Sequence, residues 1–230
     1  MNRLMRSLAE GLSRDRVVTR RLPNDIKLLV SPDSQLKYLK RSFDVDLTDL
    51  ARDHVDASMA VWDIGANCGV FAFSAAHARQ VVAVEADPFL ANLLLRSVAL
   101  NGSKVEVVAA AVAEGTGIAS LAIASRGRAS NHLVGHGYSQ TGGSRAHVTV
   151  PTISLDALLD AFGPPDLVKL YVEGLEAAVL RGASRLLATA RPTFYLELGP
   201  SVAADCTAIL EAAGYRLSPA AEMNWLAVPG

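Results

Sequence analysis

Asp63 and Glu85 are the two carboxylates whose setting in this sequence could do chemistry. They sit in the stretch VWDIGANCGVFAFSAAHARQVVAVEADP, residues 61–88. Each closes an apolar run, and a turn containing Gly65 and Gly69 lies between them. Glycine lets the backbone approach a ligand where a Cβ would collide, and the helix after the turn offers free N–H groups. A pyrophosphate would call for GxGxxG, so that it can lie on the helix N-terminus. Here the second glycine position is Asn67, and the pattern is Asp-x-Gly-x-x-x-Gly. A carboxylate opening the turn would repel a pyrophosphate and attract a cationic amino group. Glu85, at the next strand end, would accept hydrogen bonds from both hydroxyls of a ribose. S-adenosylmethionine (SAM) carries an ammonium, a sulfonium and a ribose but no phosphate, so it suits this pair. The competing cofactor class is that of a NAD(P)-dependent oxidoreductase, and Asn67 argues against it. The plain alternative is a strand-turn-helix in which Asp63 only caps the helix. A second acidic strand end followed by Asp87-Pro88 shifts the balance to a nucleoside cofactor.

For these carboxylates to meet, the runs that carry them must be neighbouring parallel strands. Residues 60–64 read as a buried strand, 69–79 as a helix of small residues and 80–85 as a second buried strand. Pro88 opens a helix at a favoured first-turn position, and Asn101-Gly102 ends it. A third strand is predicted over 104–111. Strands separated by helices of this length pair in parallel through right-handed crossovers. Ligands of such sheets lie beyond the carboxyl ends of the strands, at a topological switch point. Two further strands, 117–124 and 146–150, flank SRGRASNHLVGHGYSQTGGSR, which is long for a connection inside a compact domain. The pattern continues with a helix over 155–162, a strand over 167–172, a helix over 175–188, a strand over 193–198 and a helix over 201–213. Short strands at 215–217 and 225–228 close the chain as an antiparallel hairpin. The start is less regular, with a strand over 25–30, a helix over 47–55 and a short amphipathic helix through Leu4, Met5, Leu8 and Leu12. Residues 1–58 are expected to extend, and pack on, a cofactor-binding domain over 59–230.

With 230 residues, half of them apolar, the chain can bury the core of one large α/β domain. The formal net charge of −1 gives no general affinity for nucleic acid or for an anionic membrane. The arginines between Arg14 and Arg21 are local and read as a solvated face. Cys68 and Cys206 read as small core residues, and there is no CxxC spacing, so no metal site is expected. No run of ~18 apolar residues is present, and the N-terminus is too interrupted for a secretory signal. The expected location is cytoplasmic.

Five segments occur in an order that adds a family to this reading: DIGANCGVFAFSAA, VVAVEADPFLANLLLRSVALNG, VPTISLDALL, DLVKLYVEGLEAAVLRGA and RPTFYLEL. Together they resemble the FkbM-type SAM-dependent methyltransferases over about residues 45–230. The resemblance implies a class I methyltransferase fold: Rossmann-like, doubly wound, with a mostly parallel seven-stranded sheet and an antiparallel C-terminal hairpin. It also implies O-methylation of a hydroxyl on a small molecule, a secondary metabolite or a sugar. Carried over by position, Asp63, Gly65, Ala66, Asn67 and Gly69 look like the methionine-end pocket. Glu85 looks like the ribose acceptor, with Ala86 and Asp87 flanking the adenosine and Ala110, Ala111 and Val112 near the adenine. The family usually reads Lys-Ile-Asp-Val-Glu-Gly where this chain has Lys169-Leu170-Tyr171-Val172-Glu173-Gly174. A neutral phenol thus replaces an acid at a strand end that faces the transferred methyl in this fold. An impaired or binding-only relative is therefore the alternative to an active enzyme.

An alcohol must lose its proton as it attacks a sulfonium methyl, so a base near the methyl helps. Glu173, His132, His136 and Glu197 are the candidates, and Lys169 and Tyr171 sit on the same strand end as Glu173. Asn131, Ser130, His136 and Glu197 could also contact the acceptor, and residues 125–145 would form its lid. A small hydroxylated molecule is the expected partner, with no nucleic acid and no membrane.

Overall fold

A computed structural model describes residues 12–135, 143–220 and 223–230. Leu4, Met5, Leu8 and His136 lie outside the described residues. An antiparallel pair, β1 (Val18–Arg21) and β2 (Lys27–Val30), comes first and is followed by α1 (Val45–His54). The first half of the main sheet is β3 (Ala60–Ile64), α2 (Val70–Ser74), β4 (Gln80–Glu85), α3 (Pro88–Asn101) and β5 (Glu106–Ala109). A second small sheet is made by β6 (Ala111–Val112), β7 (Gly117–Ala124), β8 (His132–Leu133) and β9 (Ser144–Ile153). The second half is α4 (Leu155–Phe162), β10 (Leu167–Leu170), α5 (Glu176–Arg181), β11 (Thr193–Glu197), α6 (Ala203–Ala212), β12 (Tyr215–Pro219) and β13 (Asn224–Pro229).

The main sheet has seven strands in the order β12-β13-β11-β10-β3-β4-β5. The four pairings from β11 to β5 are parallel, and the β12-β13 hairpin joins β11 antiparallel. From β3 the chain winds outward to β4 and β5, then returns to β10 on the other side of β3. The switch point therefore lies between the ends of β3 and β10. Successive side chains alternate between faces. Trp62, Ile64, Val82, Val84, Val168 and Leu170 face one layer with Leu155, Leu158, Val179 and Leu210. Val61, Val81, Ala83 and Leu167 face the other with Phe71, Phe73, Leu90, Leu93 and Leu94. Both faces are covered, which is why these strands are near-continuous apolar runs. Leu22, Leu28, Val30, Tyr38 and Leu50 join the second cluster, so the segment before β3 is packed onto the sheet.

Several expected boundaries shift for local reasons. The small-residue helix stops at Ser74 rather than continuing to 79, because Ala78 N turns back to Ala75 O (2.9 Å) and His77 Nε2 meets Val55 O (2.9 Å). The expected third strand splits at Ala110: Ala111 and Val112 leave β5 and pair with Thr152 and Ile153 of β9. The helix expected over 175–188 breaks at Gly182, where a Cβ would lie 2.5 Å from the Glu114 carbonyl oxygen. β1, read from the sequence only as a basic run, forms because Arg20 Nε donates to Tyr38 O (2.6 Å) while its backbone pairs with Leu28. The long connection after β7 is not open throughout: residues 128–130 make one helical turn, and β8 folds back on β7.

Candidate functional site: a cavity at the switch point

The turn after β3 is built by glycine at one decisive place. Gly65 has φ +72°, and a Cβ there would sit 1.8 Å from the Tyr171 carbonyl oxygen. The ends of β3 and β10 can touch only because that atom is missing. Gly65 N and Ala66 N both donate to Val84 O at 3.0 Å, which ties the turn to β4. Asn67 N donates to Glu85 Oε2 (2.7 Å), and Asp87 N donates to Glu85 Oε1 (2.8 Å). Glu85 is therefore fixed by two backbone donors and still has lone pairs facing the cavity, whose wall it forms. Burial pushes its pKa up to about 7, against the pull of those two N–H groups. Asp87 caps α3 by accepting from Phe89 N (2.9 Å).

Two residues expected at the methionine end are not on the cavity wall. Asp63 is fully buried: Oδ2 accepts from Ala72 N (3.0 Å), and Oδ1 lies 2.9 Å from Lys169 Nζ. Adjacent strand positions Asp63 and Lys169 are paired across β3 and β10, which puts the two charges side by side beneath the turn. A carboxylate already held by a buried ammonium is not presented to a ligand. Gly69 has φ +86°, and a Cβ there would meet Leu94 Cδ2 at 2.5 Å, so it serves the packing of α3 against the turn. Lys169 itself lines the cavity; it also donates to Gly65 O (2.7 Å), and Nζ lies 4.5 Å from the centre of the Tyr171 ring.

The cavity encloses about 350 Å³, within the usual range of about 300–1,000 Å³ for small-molecule sites. At the ends of β4 and β5, on α3 and on β6 its wall is Glu85, Ala86, Leu90, Ala110, Ala111 and Val112, and β7, β8 and the turn before β8 add Leu121, Asn131, His132 and Leu133. The glycine turn contributes Gly65, Ala66 and Asn67, and the segment before β3 contributes Gln35, Lys37, Tyr38 and Asp44. Tyr171, Glu173, Glu197 and Asn224 close the end beside β11. Tyr171 is not a free phenol: its hydroxyl donates to Asn224 Oδ1 (2.8 Å), and its ring stacks on Tyr195 with centroids 6.1 Å apart. Burial, together with Tyr195, Asp46 and Glu197, drives its pKa far above the ordinary phenol value. Glu173 adopts φ 49° at the turn after β10. Burial first, then the charges of Glu197 and Glu176, raise its pKa to about 7. Among the described residues the Glu173 and Glu197 carboxylates have no ion-pair partner.

Residues 31–47 were missed as site residues in the sequence. The only local signal there is SPDS, a turn signature, realised as Ser31 Oγ accepting from Asp33 N (3.2 Å). Ser34 Oγ donates to Asn67 Oδ1 (2.7 Å), which fixes this segment to the glycine turn. Asp33 receives Arg128 Nε (2.8 Å) and both terminal nitrogens of Arg145 (2.9 and 2.6 Å). Those guanidiniums hold the Asp33 carboxyl below its ordinary pKa in spite of burial. Arg128 also reaches Asp87 (2.7 Å) and lies 4.4 Å over the Phe89 ring. Asn131 is likewise occupied, donating to Asp87 Oδ2 (2.8 Å) and accepting from Ala124 N (2.9 Å). Ser130 contributes its carbonyl, 3.3 Å from His132 Nδ1.

A parallel sheet in this order, with an acidic strand end beside a glycine turn at the switch point, is the architecture of class I SAM methyltransferases. The model of the methyltransferase FkbM domain matches residues 63–217, and the chain belongs to that family. The family takes its methyl group from SAM, which is the cofactor here. Solved structures agree at the level of fold. Methyltransferase FkbM from Methylobacillus flagellatus is 17% identical with a TM-score of 0.51, over 76% of this chain and 44% of that one. Precorrin-6y C5,15-methyltransferase from Geobacter metallireducens is 14% identical with a TM-score of 0.50, over 81% of this chain and 86% of that one. The tRNA (uracil-54, C5)-methyltransferase of Pyrococcus abyssi, solved with S-adenosyl-L-homocysteine (SAH), is 16% identical with a TM-score of 0.52, over 92% of this chain and 43% of that one. No curated protein matches the chain. Among the described residues no helix is long and apolar enough to cross a membrane.

The residues present fit the cofactor. Glu85 offers lone pairs at the cavity wall for a diol, and Ala86, Ala110 and Ala111 leave a shallow apolar strip beside it for a flat base.

Proposed function

We propose that this chain methylates a hydroxyl oxygen of a small molecule, with Glu173 as the base. The observation that carries this reading is the Glu173 carboxyl: it lines the same cavity as Glu85 and has no ion-pair partner among the described residues, and burial pushes its pKa up to about 7. When bound, SAM supplies an electrophilic methyl on a sulfonium. Glu85 would hold the ribose diol, Gly65, Ala66 and Asn67 the amino-acid arm, and Ala86 and Ala111 the base. The acceptor would lie at the Tyr171–Glu197 end. As its oxygen gained the methyl, whose bond to sulfur would break to leave SAH, the hydroxyl proton would pass to the Glu173 carboxylate. Burial first, and then Glu197 beside it, keep the proton affinity of Glu173 high enough for the task. Tyr171, its hydroxyl committed to Asn224, shapes the acceptor wall and does not carry the proton. Lys169 holds the turn in place through Asp63 and Gly65, and His132 and Asn131 close the cavity from the β8 side. Acidic residues at the acceptor end oppose a phosphate backbone, which favours a small molecule over nucleic acid. Both cysteines are buried and free, in keeping with a reducing, cytoplasmic setting.

The test is SAH formation with a panel of sugars and hydroxylated metabolites between pH 6 and pH 9. A base must be unprotonated to act, so kcat/KM should rise with pH through about 7. Glu173→Gln should lower kcat roughly 100-fold or more and remove that limb. Unchanged turnover in Glu173→Gln refutes its role as base. Tyr171 favours one other reading, a donor-binding protein without turnover. SAH binding with no SAH formation on any acceptor, and formation gained in Tyr171→Asp, would establish that reading.

A further inference from the structure

With Asp63 sealed against Lys169, the ammonium of the methyl donor needs another acceptor. The side-chain acceptors around the glycine turn are nearly all taken. Asp63 has Lys169 and Ala72 N. Asn67 Oδ1 has the Ser34 hydroxyl. Asp44 has Lys37. The Gly65 carbonyl has Lys169 Nζ at 2.7 Å. Gln35 differs from all of these. It lines the cavity beside the turn, and its Oε1, shielded from solvent, has no hydrogen-bond partner, so turning the side-chain amide into the cavity breaks no bond of that oxygen. Asp46, farther along the same mouth, is exposed and can be satisfied by water. A buried acceptor left without a donor costs about 1–3 kcal/mol, so such atoms normally have a partner in the working state.

The backbone that carries this amide is held firmly. Gln35 N donates to Ser31 O (3.4 Å), and Gln35 O accepts from Tyr38 N (3.1 Å), which starts a short 3₁₀ turn over Leu36–Leu39. One residue earlier, Ser34 is fastened to Asn67, on the loop whose backbone approaches the same ligand. The segment before the main sheet therefore brings the Gln35 amide to the cavity wall beside the glycine turn.

We propose that Gln35 binds the amino-acid end of the methyl donor, its side-chain amide turning into the cavity so that the oxygen accepts a hydrogen bond from the donor's ammonium. This rests on the reading of the cavity as the SAM site and assigns the one contact that Asp63 does not make. Gln35 acts on binding and takes no part in proton transfer. It makes the site selective for a nucleoside that still carries its amino acid over one that has lost it.

The test is calorimetric titration of the full chain with SAH and with 5′-methylthioadenosine, which keeps the adenosine and the thioether but has no amino acid. Gln35→Leu should weaken SAH binding roughly tenfold or more, the worth of a hydrogen bond to a charged group. It should leave methylthioadenosine affinity within about twofold, which also shows that the variant is folded. Gln35→Glu should recover SAH binding, because it restores an oxygen and adds charge. A ligand-side control needs no variant: the SAH analogue lacking only its amino group should bind the wild-type protein at least tenfold more weakly than SAH, and Gln35→Leu should no longer distinguish the two. If Gln35→Leu binds SAH as the wild type does, or loses SAH and methylthioadenosine equally, the assignment of Gln35 is wrong and the donor site stands. If the wild-type chain binds neither ligand, the donor site itself is wrong and this inference goes with it.

Discussion

Replacing Lys169 with methionine isolates the buried pair beneath the glycine turn. Lys169 Nζ and Asp63 Oδ1 are 2.9 Å apart, with side chains 3% and 1% exposed. Methionine keeps most of the stem and removes the charge. Asp63 would then retain only the hydrogen bond from Ala72 N, and the Gly65 carbonyl would lose its donor. Removing one partner of a buried pair costs about 3–5 kcal/mol, because the other charge is stranded. At this chain length each kcal/mol moves Tm by about 2–4 °C, so a fall of roughly 10 °C is expected. Thermal unfolding followed by fluorescence of Trp62 and Trp225 would measure it. Adding Asp63→Leu to Lys169→Met should return most of the loss, since an apolar replacement for a whole buried pair is often near neutral. A lone Lys169→Met whose midpoint matches the wild type would refute a structural pair and return Lys169 to the candidates for direct contact with substrate.

Two further outcomes follow from the same geometry. Gly65→Ala drives a Cβ into the Tyr171 carbonyl at a left-handed φ, so it should cost about 2–5 kcal/mol. It should also abolish SAH binding by calorimetry; a variant with wild-type Tm would show that β3 and β10 do not meet as described. Glu85 and Glu173 both have folded pKa values raised to about 7 from an ordinary 4.5. Their protonated forms favour the folded state, so that stability is complete below about pH 4.5 and is lost as pH rises through about 7. Asp33, shifted the other way, acts only below its ordinary 3.8. The ligand-free Tm should therefore fall from pH 5 to pH 8 by scanning calorimetry, and less so in Glu85→Gln/Glu173→Gln. A rise over that range in the wild type but not in the variant would contradict the burial of these acids.

The sequence revealed strand ends better than it revealed partners. Ile64 and Glu85 mark real boundaries because each apolar run is covered on both faces and must end where the chain meets the cavity. The glycine at 65 was legible for the same reason. Asp63 was legible as a carboxylate at the site but not in its role, because its partner Lys169 comes from a strand that becomes a neighbour only through the crossover at β10. Gly69 has the right spacing for a ligand loop, yet its missing Cβ makes room for Leu94. Tyr171 stood out as a departure from the family, but its capture by Asn224 depends on the last hairpin. The Asp33, Arg128 and Arg145 cluster left no local trace, since it joins three segments that only the fold brings together.

The ties of Asp33 and Asn224 make the working unit wider than the region that defines the family. A fragment cut to residues 63–217 would keep Glu85 and the glycine turn. It would lose Gln35, Tyr38 and Asp44 from the cavity wall, leave Arg145 without its carboxylate, and free the Tyr171 hydroxyl from Asn224. What is shared by descent and what is needed for a closed reaction chamber are thus different stretches of chain.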